Sequence, residues 1–269
     1  MKKLLITGAY GLVGTEICAQ LARNHPDIDV TKVKCEEGGM GTYDYIIHAA
    51  GYGQPQMFSK DKVMTIEINT TLTSVLLDKL NPDGKFLFIS SSEVYEDTMP
   101  EHPRACYIEG KRCGEAICHA YEEQGYDVKI ARLALAYGPG YKKGDTRVIN
   151  QFIQQGVNGD IILRDDGHAK RTYIYVGDAV TMLLNILFKG TQVLYNVGGD
   201  SETTIKDLAM AIARKVGRGI VVGKVNKPII GAPENVKLDI TRYENEFGKM
   251  NFVSLSEGLD KTIEWAKSL

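Results

Sequence analysis

The sequence predicts an α/β fold with a doubly wound parallel sheet and a smaller C-terminal lobe. Short apolar runs alternate with amphipathic helical patterns from the first residue, which is typical of parallel βαβ units. Glycine is abundant, at 28 of 269 residues, but dispersed, as many tight strand-to-helix turns require. With 43% hydrophobic residues, the chain has ample material for a core.

The first 140 residues contain a series of strand and helix patterns. KLLITGAYG indicates a buried strand and a turn, LVGTEICAQLARN an amphipathic helix, and DYIIHAAG another strand that ends in small residues. EINTTLTSVLLDKL then indicates a helix, GKFLFISSS a strand, ACYIEGKRCGEAICHAYEEQG a long helix, and DVKIARLALAYGPG a further strand. We therefore assign residues 1–140 to the sheet domain.

Beyond residue 140 the pattern changes, and residues 141–269 are predicted to form the smaller lobe, with some segments returning to the sheet. GYKKGDTRVINQFIQQG indicates a loop and a helix, RTYIYVGDAVTMLLNILFKG a strand and a helix, and TIKDLAMAIARKVG another helix. VSLSEGLDKTIEWAKSL predicts a final amphipathic helix, for which Ser254 or Ser256 is available as N-cap.

The sheet edge is predicted to be truncated near residues 28–43. Only the short segment 34–42 separates a possible second strand from DYIIHAAG. At ~3.3 to 3.6 Å per residue this segment can cross the sheet in extended form, but it is too short for a crossover helix.

Charge and cysteine content argue against several classes of protein. The formal net charge is −2, which lacks the basic footprint of a nucleic-acid binder, so we expect a small-molecule partner and no nucleic acid. The five cysteines form no CxxC pair, so we expect free thiols and no metal. The apolar run in MKKLLITGAYG is too short for a signal peptide, and no segment has the length of a membrane span. We therefore expect a cytoplasmic protein with no membrane partner.

A glycine-rich turn follows the first strand. TGAYGLVG places Gly8, Gly11 and Gly14 between this strand and the first helix. The first glycine permits a tight turn, the second lets the backbone approach a diphosphate, and the third allows close contact between helix and sheet, while the helix N-terminus faces the anion. The turn predicts a dinucleotide cofactor, which Tyr10 and Leu12 would also contact.

The second strand bears on the choice of dinucleotide. An acid at its end would bind the adenosine ribose of NAD, and HPDIDVTKVKCEEGG offers Asp29, Glu36 and Glu37. Lys32 and Lys34 would instead favour the additional phosphate of NADP. We favour NAD and leave NADP open.

A tyrosine and a lysine lie one helical turn apart after a later strand. SSSEVY ends that strand, and Tyr107 and Lys111 follow on the next helix, where residues i and i+4 are about 5 to 6 Å apart. An ammonium at that distance favours the phenolate by roughly 3 kcal/mol, or about two pKa units. We therefore predict that Lys111 lowers the pKa of Tyr107, which can then act as a base.

These motifs together resemble the extended short-chain dehydrogenase/reductase family, the NAD-dependent epimerases and dehydratases of nucleotide sugars. The likeness covers nearly the whole chain and rests on TGAYGLVG, HAAG, SSSEVY, Tyr107-x-x-x-Lys111, YGPG and RTYIYVGD. It implies a Rossmann-like fold and a homodimer that pairs through two helices, here residues 61–80 and 105–124.

The resemblance also implies roles for individual residues. Tyr107 would transfer the proton, Lys111 would hold the nicotinamide ribose, and Ser91 would bond the reacting sugar hydroxyl. Asn69 would support the central sheet and the proton network. The implied cofactor contacts are Gly8, Tyr10, Gly11, Leu12, Gly14, Ala49, Ala50, Gly51, Ser90, Tyr107 and Lys111, and the implied substrate contacts are Ser91, Ser92 and Arg171.

The implied reaction is transient oxidation of a nucleotide sugar to a keto intermediate, followed by decarboxylation, dehydration or epimerisation. Glu93 favours the first two outcomes slightly, because Ser91-Ser92-Glu93 resembles the Thr-Ser-Glu of GDP-mannose dehydratases and UDP-glucuronate decarboxylases. In the alternative interpretation Glu93 is a solvated loop carboxylate. Two other functions stay open: a keto-sugar or carbonyl reductase that consumes NAD(P)H, and a non-catalytic dinucleotide sensor.

Two positions depart from the family pattern. Leu135 stands where relatives carry an asparagine that touches the nucleotide sugar, and Ala232 stands where an arginine often clamps the diphosphate. Lys142, Lys143 and Arg147 are candidates for replacement cations.

Overall fold

The computed structural model describes residues 1–142, 144–223 and 235–269. The strands are β1 (Lys2–Thr7), β2 (Ile28–Val33), β3 (Tyr43–His48), β4 (Leu80–Ser91), β5 (Asp127–Leu133), β6 (Leu135–Tyr137), β7 (Ile161–Leu163), β8 (Lys170–Tyr175), β9 (Leu194–Val197), β10 (Ser201–Thr204), β11 (Ile220–Val222) and β12 (Asn235–Val236). The helices are α1 (Leu12–Asn24), α2 (Pro55–Lys60), α3 (Lys62–Asn69), α4 (Thr71–Leu77), α5 (Ala105–Glu122), α6 (Val148–Asn158), α7 (Val176–Lys189), α8 (Ile205–Val216), α9 (Thr241–Phe247) and α10 (Leu255–Lys267).

The main sheet is parallel, with strand order β2-β1-β3-β4-β5-β9. Because β2 and β3 lie on opposite sides of β1, the order of the connections reverses there. The carboxyl ends of β1 and β3 therefore open the crevice in which doubly wound sheets bind ligands. The predicted α/β fold with a parallel sheet is confirmed.

Both faces of this sheet are covered because successive strand residues point to opposite sides. Leu4 and Ile6 pack in one apolar cluster with residues of α1 and α7, whereas Leu5 packs in a second cluster with residues of α4 and α5. The central strands β1 and β4 accordingly contain continuous buried apolar runs, LLI and FLFI, as a sheet covered on both faces requires.

The predicted truncation of the sheet edge is confirmed. β2 is the edge strand, and residues 34–42, all within the described part of the chain, run from β2 to β3 as turns and irregular structure. The start of this connector is attached to the glycine turn, because the Gly8 and Ala9 amides donate to the Lys34 and Val33 carbonyls at 3.5 and 3.2 Å. The crossing is therefore close to the crevice.

Two predicted elements are each divided in the structure. The helix predicted for EINTTLTSVLLDKL is broken at Thr70, whose side chain donates back to the Ile66 carbonyl at 2.9 Å, a bond that competes with regular helix geometry. The strand predicted for DVKIARLALAY is also two strands. The Ala134 amide still bonds the Val197 carbonyl of the main sheet at 2.8 Å, but β6 pairs with β8 in another sheet.

The C-terminal lobe is built around β8, which pairs with β6, β10 and β12, while β7 and β11 form a separate pair. Its apolar core joins residues of α6, α8 and α10. After residue 140, β9 and α7 return to the main sheet, where α7 packs against α1 and β9 pairs with β5.

Ser254 is the N-cap of α10. It is one of the two residues, Ser254 and Ser256, that were predicted for this position. Its hydroxyl accepts the Glu257 amide at 3.3 Å. We expect Ser254→Ala to lower the free energy of unfolding by about 1 kcal/mol, because one helix-start amide loses its partner. Ser256→Ala is the matched control and should change this free energy less. Urea unfolding of both variants checks the prediction, and an equal effect would contradict it.

Candidate active site

The glycine turn has the shape that a dinucleotide needs. Gly8 has φ +69°, and a Cβ there would lie 2.7 Å from the Ala49 carbonyl oxygen. A Cβ on Gly14 would lie 2.3 Å from the Gly8 carbonyl oxygen, so α1 packs directly on the turn. The N-terminus of α1 thus faces the crevice with its first amides, as diphosphate binding requires. The residues present fit the predicted cofactor.

Lys111 and Asn69 lie beside Gly51 at the carboxyl end of β3. A Cβ on Gly51 would be 3.3 Å from Lys111 Nζ and 3.8 Å from Asn69 Oδ1. Asn69 Oδ1 is buried and has no hydrogen-bond partner among the described residues, although its Nδ2 donates to the Thr65 carbonyl at 2.7 Å. An unsatisfied buried acceptor here indicates a ligand or water partner.

Tyr107 is buried in the first turn of α5. Its ring stacks on Phe58 with centroids 5.4 Å apart, and its hydroxyl hydrogen-bonds Ser91. A Cβ on Gly53 would lie 3.9 Å from the Tyr107 hydroxyl oxygen. The structure therefore brings together Tyr107, the predicted proton-transfer residue, and Ser91, predicted to bond the reacting sugar hydroxyl, beside the loop that follows Gly51.

The predicted direction of the Tyr107 pKa shift is wrong. Burial, together with the negative charge of Glu93, raises the pKa of Tyr107 to about 12, and the Ser91 hydroxyl, Arg104 and Arg147 only partly offset this. Lys111 is not among the groups that act most strongly on the phenol. Its Nζ donates to the Ile89 carbonyl at 2.7 Å and lies 4.7 Å from the Phe88 ring centroid. Burial in turn lowers the pKa of Lys111 to about 8.

Glu93 is not the solvated loop carboxylate of the alternative interpretation. Arg104 holds it in a fork, with Nε 2.8 Å from Oε2 and a second bond from Nη2 to Oε1, and both side chains are largely buried. Arg104 also lies over the Phe58 ring at 5.4 Å. Arg104 and Phe58 were missed, although Arg104 stands three residues before Tyr107, a spacing that shares a helix face.

Ser90 belongs to a buried network that fastens α5 to the sheet. Its hydroxyl donates to Glu115 Oε1 at 2.5 Å, and Arg132 binds the Glu115 carboxylate through Nε at 3.0 Å and Nη2 at 2.6 Å. Arg132 also lies 4.6 Å from the Tyr95 ring centroid, and the Tyr95 hydroxyl donates to Asn196 at 2.9 Å. The Ser90 hydroxyl, predicted to contact the cofactor, is thus committed to Glu115.

Two more arginines act on this site. The charge of Arg147 reaches Tyr107, while its guanidinium also binds the buried Asp145 carboxylate at 3.0 Å. Burial lowers the pKa of Arg171, and its electrostatic neighbours include Arg104, Glu96 and Glu93. The charge of Lys142 partly offsets the rise that burial causes in the pKa of the half-buried Cys35 thiol, and this thiol accepts the Gly51 amide at 3.4 Å. Lys143 and Ala232 lie outside the described residues.

The remaining predicted cofactor residues surround the glycine turn. Ala49 and Ala50 contact Gly8 through their backbones, and Leu12 starts α1 with a buried side chain, whereas the Tyr10 side chain is exposed. Of the candidate ribose acids, Asp29 lies opposite Lys3 in the register of β2 with β1, at the amino end of the sheet and away from the crevice. Glu36 instead accepts the Tyr52 hydroxyl at 2.6 Å, and Glu37 accepts the Lys34 amide at 3.1 Å.

A pocket of about 370 Å³ opens next to the catalytic candidates. Its wall includes Ser92 and Glu93. The other lining residues come from the end of β4, from β9 and from the segment before α9, namely Tyr95, Glu96, Asn196, Asn235, Val236, Lys237, Leu238 and Asp239. It has room for a group of about the size of one sugar ring.

In the described ranges 1–142, 144–223 and 235–269, no group of three or more His, Cys, Asp or Glu side chains could hold a metal ion. Within the same ranges, no helix combines the length and apolar character needed to cross a bilayer.

Residues 28–198, well over half of the chain, match the family model described as the NAD dependent epimerase/dehydratase family. The chain belongs to this family. The predicted family, the enzyme class and the NAD cofactor are thereby confirmed for this epimerase/dehydratase family member.

Its relatives include several curated decarboxylases. The chain is 28% identical over 303 residues to UDP-glucuronic acid decarboxylase 1 of Xenopus tropicalis, covering 98% of this chain and 72% of the relative. It is also 28% identical to UDP-glucuronic acid decarboxylase 5 of Arabidopsis thaliana, covering 96% and 87%. Its fold is similar to that of UDP-glucuronic acid 4-epimerase from Bacillus cereus, solved with UDP-glucuronic acid and NAD, with a TM-score of 0.84, 22% identity and 99% of each chain covered.

Proposed function

We propose that this epimerase/dehydratase family member transiently oxidises a UDP-linked uronic acid, and that decarboxylation follows. One observation carries the proposal: the hydrogen-bonded Tyr107 and Ser91 lie next to the Glu93–Arg104 ion pair. Lys111 and Gly51 lie on the other side of the same site. The named decarboxylases among the relatives support the same substrate class.

In this proposal Tyr107 exchanges a proton with the sugar hydroxyl, and Ser91 orients that hydroxyl. Bound NAD supplies a reversible hydride acceptor. With a pKa of about 12, Tyr107 is almost fully protonated at neutral pH. The site must therefore gain positive charge on ligand binding, which stabilises the phenolate, the form of Tyr107 that accepts the proton of the sugar hydroxyl. Once the sugar is a ketone, a carboxylate β to it is lost readily as carbon dioxide.

The diphosphate of the substrate is assigned to the side of Arg147 and Arg171. Arg147 stands at the N-terminus of α6, where the first amides of the helix also favour an anion. Both guanidinium groups belong to the charge environment of Tyr107. The charge of Arg147 lowers the pKa of the phenol, and Arg171 interacts electrostatically with Glu93. This leaves the pocket beside Glu93 for the sugar.

The purified protein, incubated with NAD and a panel of UDP-sugars that includes UDP-glucuronate, UDP-glucose and UDP-galactose, tests the proposal by mass analysis of the products. Loss of carbon dioxide from UDP-glucuronate alone is the expected result. Loss of water would indicate a dehydratase, and unchanged mass with altered retention an epimerase. A parallel incubation with NAD(P)H in place of NAD would show a reductase by stoichiometric consumption of the reduced cofactor. Any of these three results would contradict decarboxylation.

The proposed homodimer pairs residues 61–80, which form α3 and α4, and residues 105–124, which include α5, with the same segments of its partner. Val63 and Ile66 on α3 and Val75 on α4 are exposed apolar side chains on this side of the molecule. Their burial in a dimer would remove apolar surface from water. The proposed location is the cytoplasm, where the five free thiols would stay reduced.

Ile66→Lys is expected to convert the dimer into monomers, because a charge would then replace an apolar contact at the interface. Sedimentation velocity at several protein concentrations measures the change. Val222→Lys, which alters an exposed apolar residue in the other lobe, is the matched control and should leave the dimer intact. A monomeric wild-type protein would contradict the proposed pairing.

A further inference from the structure

The pocket beside Glu93 contains one cation without an evident counter-charge. Of the described residues that line it, Lys237 alone has a basic side chain, and Glu93, Glu96 and Asp239 are acidic. Lys237 is exposed, and its ammonium makes no ion pair or hydrogen bond within the described parts of the chain.

The three carboxylates each have a partner other than Lys237. Arg104 holds Glu93 in a two-bond fork. Glu96 is an electrostatic neighbour of Arg171. Asp239 Oδ1 accepts the Thr241 amide at 2.9 Å, where α9 begins, a position that favours the ionised carboxylate. Arg104 and Arg171 thus offset Glu93 and Glu96, and the Asp239 carboxylate is held by the start of α9. Lys237 is then the ammonium that the described lining offers to an anionic ligand.

The segment that carries Lys237 is fixed relative to the catalytic helix. Asn196 Nδ2 donates to the Asp239 carbonyl at 2.8 Å, and Asn196 Oδ1 accepts the Tyr95 hydroxyl at 2.9 Å. Tyr95 lies against Arg132, which binds Glu115 of α5. A continuous set of contacts thus connects α5, the helix of Tyr107, to the backbone two residues from Lys237.

We propose that Lys237 is a specificity residue that binds the carboxylate of the uronic acid. This rests on the proposed function, in which the diphosphate lies at Arg147 and Arg171, so the anion left for the pocket is the one on the sugar. An ammonium and a carboxylate form a charge-assisted hydrogen bond, which a neutral sugar cannot make. Lys237 therefore distinguishes a uronic acid from the corresponding neutral hexose.

Calorimetric titration of the NAD-loaded enzyme with UDP-glucuronate and, separately, with UDP-glucose tests this assignment. Lys237→Ala is expected to weaken UDP-glucuronate binding about tenfold and to leave UDP-glucose binding unchanged, while Lys237→Arg retains most of the preference. Lys249→Ala removes an exposed lysine of the same lobe and serves as the matched control, with no effect expected on either ligand.

Two outcomes would overturn the assignment, and they are distinguishable. If the wild-type enzyme prefers UDP-glucuronate and Lys237→Ala keeps that preference, Lys237 does not recognise the carboxylate, while the proposed function stands. If the wild-type enzyme binds neither UDP-sugar, or binds UDP-glucuronate no more tightly than UDP-glucose, the proposed substrate class fails and the role of Lys237 fails with it.

Discussion

Replacing Tyr107 by phenylalanine is expected to lower kcat by a factor of about 10³, because the variant has no hydroxyl to exchange a proton with the substrate. The substitution should affect the chemical step of the reaction and leave folding and cofactor binding almost unchanged. The ring of residue 107 would still stack on Phe58, and Lys111 would keep its bond to the Ile89 carbonyl. We therefore expect an unchanged melting temperature and unchanged NAD binding.

Steady-state turnover of the preferred UDP-sugar, together with thermal unfolding, measures both parts of this expectation. Tyr121→Phe is the matched control, because it also removes a hydrogen-bonded tyrosine hydroxyl, one that donates to Asp78 at 2.7 Å on the opposite half of α5. Full activity in the Tyr107 variant would remove the basis of the proposed chemistry. A large fall in melting temperature would mean that the hydroxyl is structural instead.

The second large effect concerns pH and stability. His48 is completely buried at the end of β3, where its Nε2 lies 2.9 Å from the Ile68 carbonyl and its Nδ1 lies 2.7 Å from the Thr7 hydroxyl. Since a carbonyl can only accept, Nε2 carries the proton and Nδ1 accepts from Thr7. Burial, with the charge of Lys111, lowers the pKa of His48 from 6.5 to about 3.

The sign of the pH effect follows from this depressed pKa. Between pH 6.5 and about 3 the unfolded chain binds a proton at His48 that the folded chain does not, so folding becomes less favourable as the pH falls. Above pH 6.5 the contribution of His48 to the free energy of unfolding is fully present. At pH 5 it should have decreased by about 2 kcal/mol, from 1.36 kcal/mol per pH unit. Lys111, with a pKa of about 8, stays protonated throughout this window.

Urea unfolding at about pH 7.5 and at about pH 5 measures the difference between the free energies of unfolding at these two pH values. His48→Gln preserves one donor and one acceptor but cannot titrate, so the difference should shrink in this variant even if its stability is lower at both values. His119→Gln, at an exposed position on α5, should keep the wild-type difference. The same difference in wild type and His48→Gln would contradict the assignment.

Features that depend on neighbouring residues in the chain were predictable. The glycine turn, the Tyr107–Lys111 spacing and the Ser254 cap each lie within one helical turn or one strand-to-helix junction. The truncated edge was equally predictable, because chain length alone limits what residues 34–42 can form. The break at Thr70 was missed, since a side-chain bond to the backbone competes with an otherwise good helical pattern.

Features that depend on strand pairing were not predictable from spacing. Ser90 and Arg132 are side by side because β4 and β5 pair in that register, and this places both next to Glu115. In the same way Asn196 and Asp239, far apart in the chain, meet beside Glu93 and form the pocket wall. The sequence offers no short-range signal for either contact.

By itself the amino-acid sequence determined the fold class, the glycine turn and the Tyr107–Lys111 spacing, because each depends on local residue order. Tertiary structure alone decided the ionisation of Tyr107, the commitment of Ser90 to Glu115 and the pairing of Glu93 with Arg104. The physical reason is that a pKa depends on burial and on every charge nearby. Those quantities exist only when distant segments have packed together.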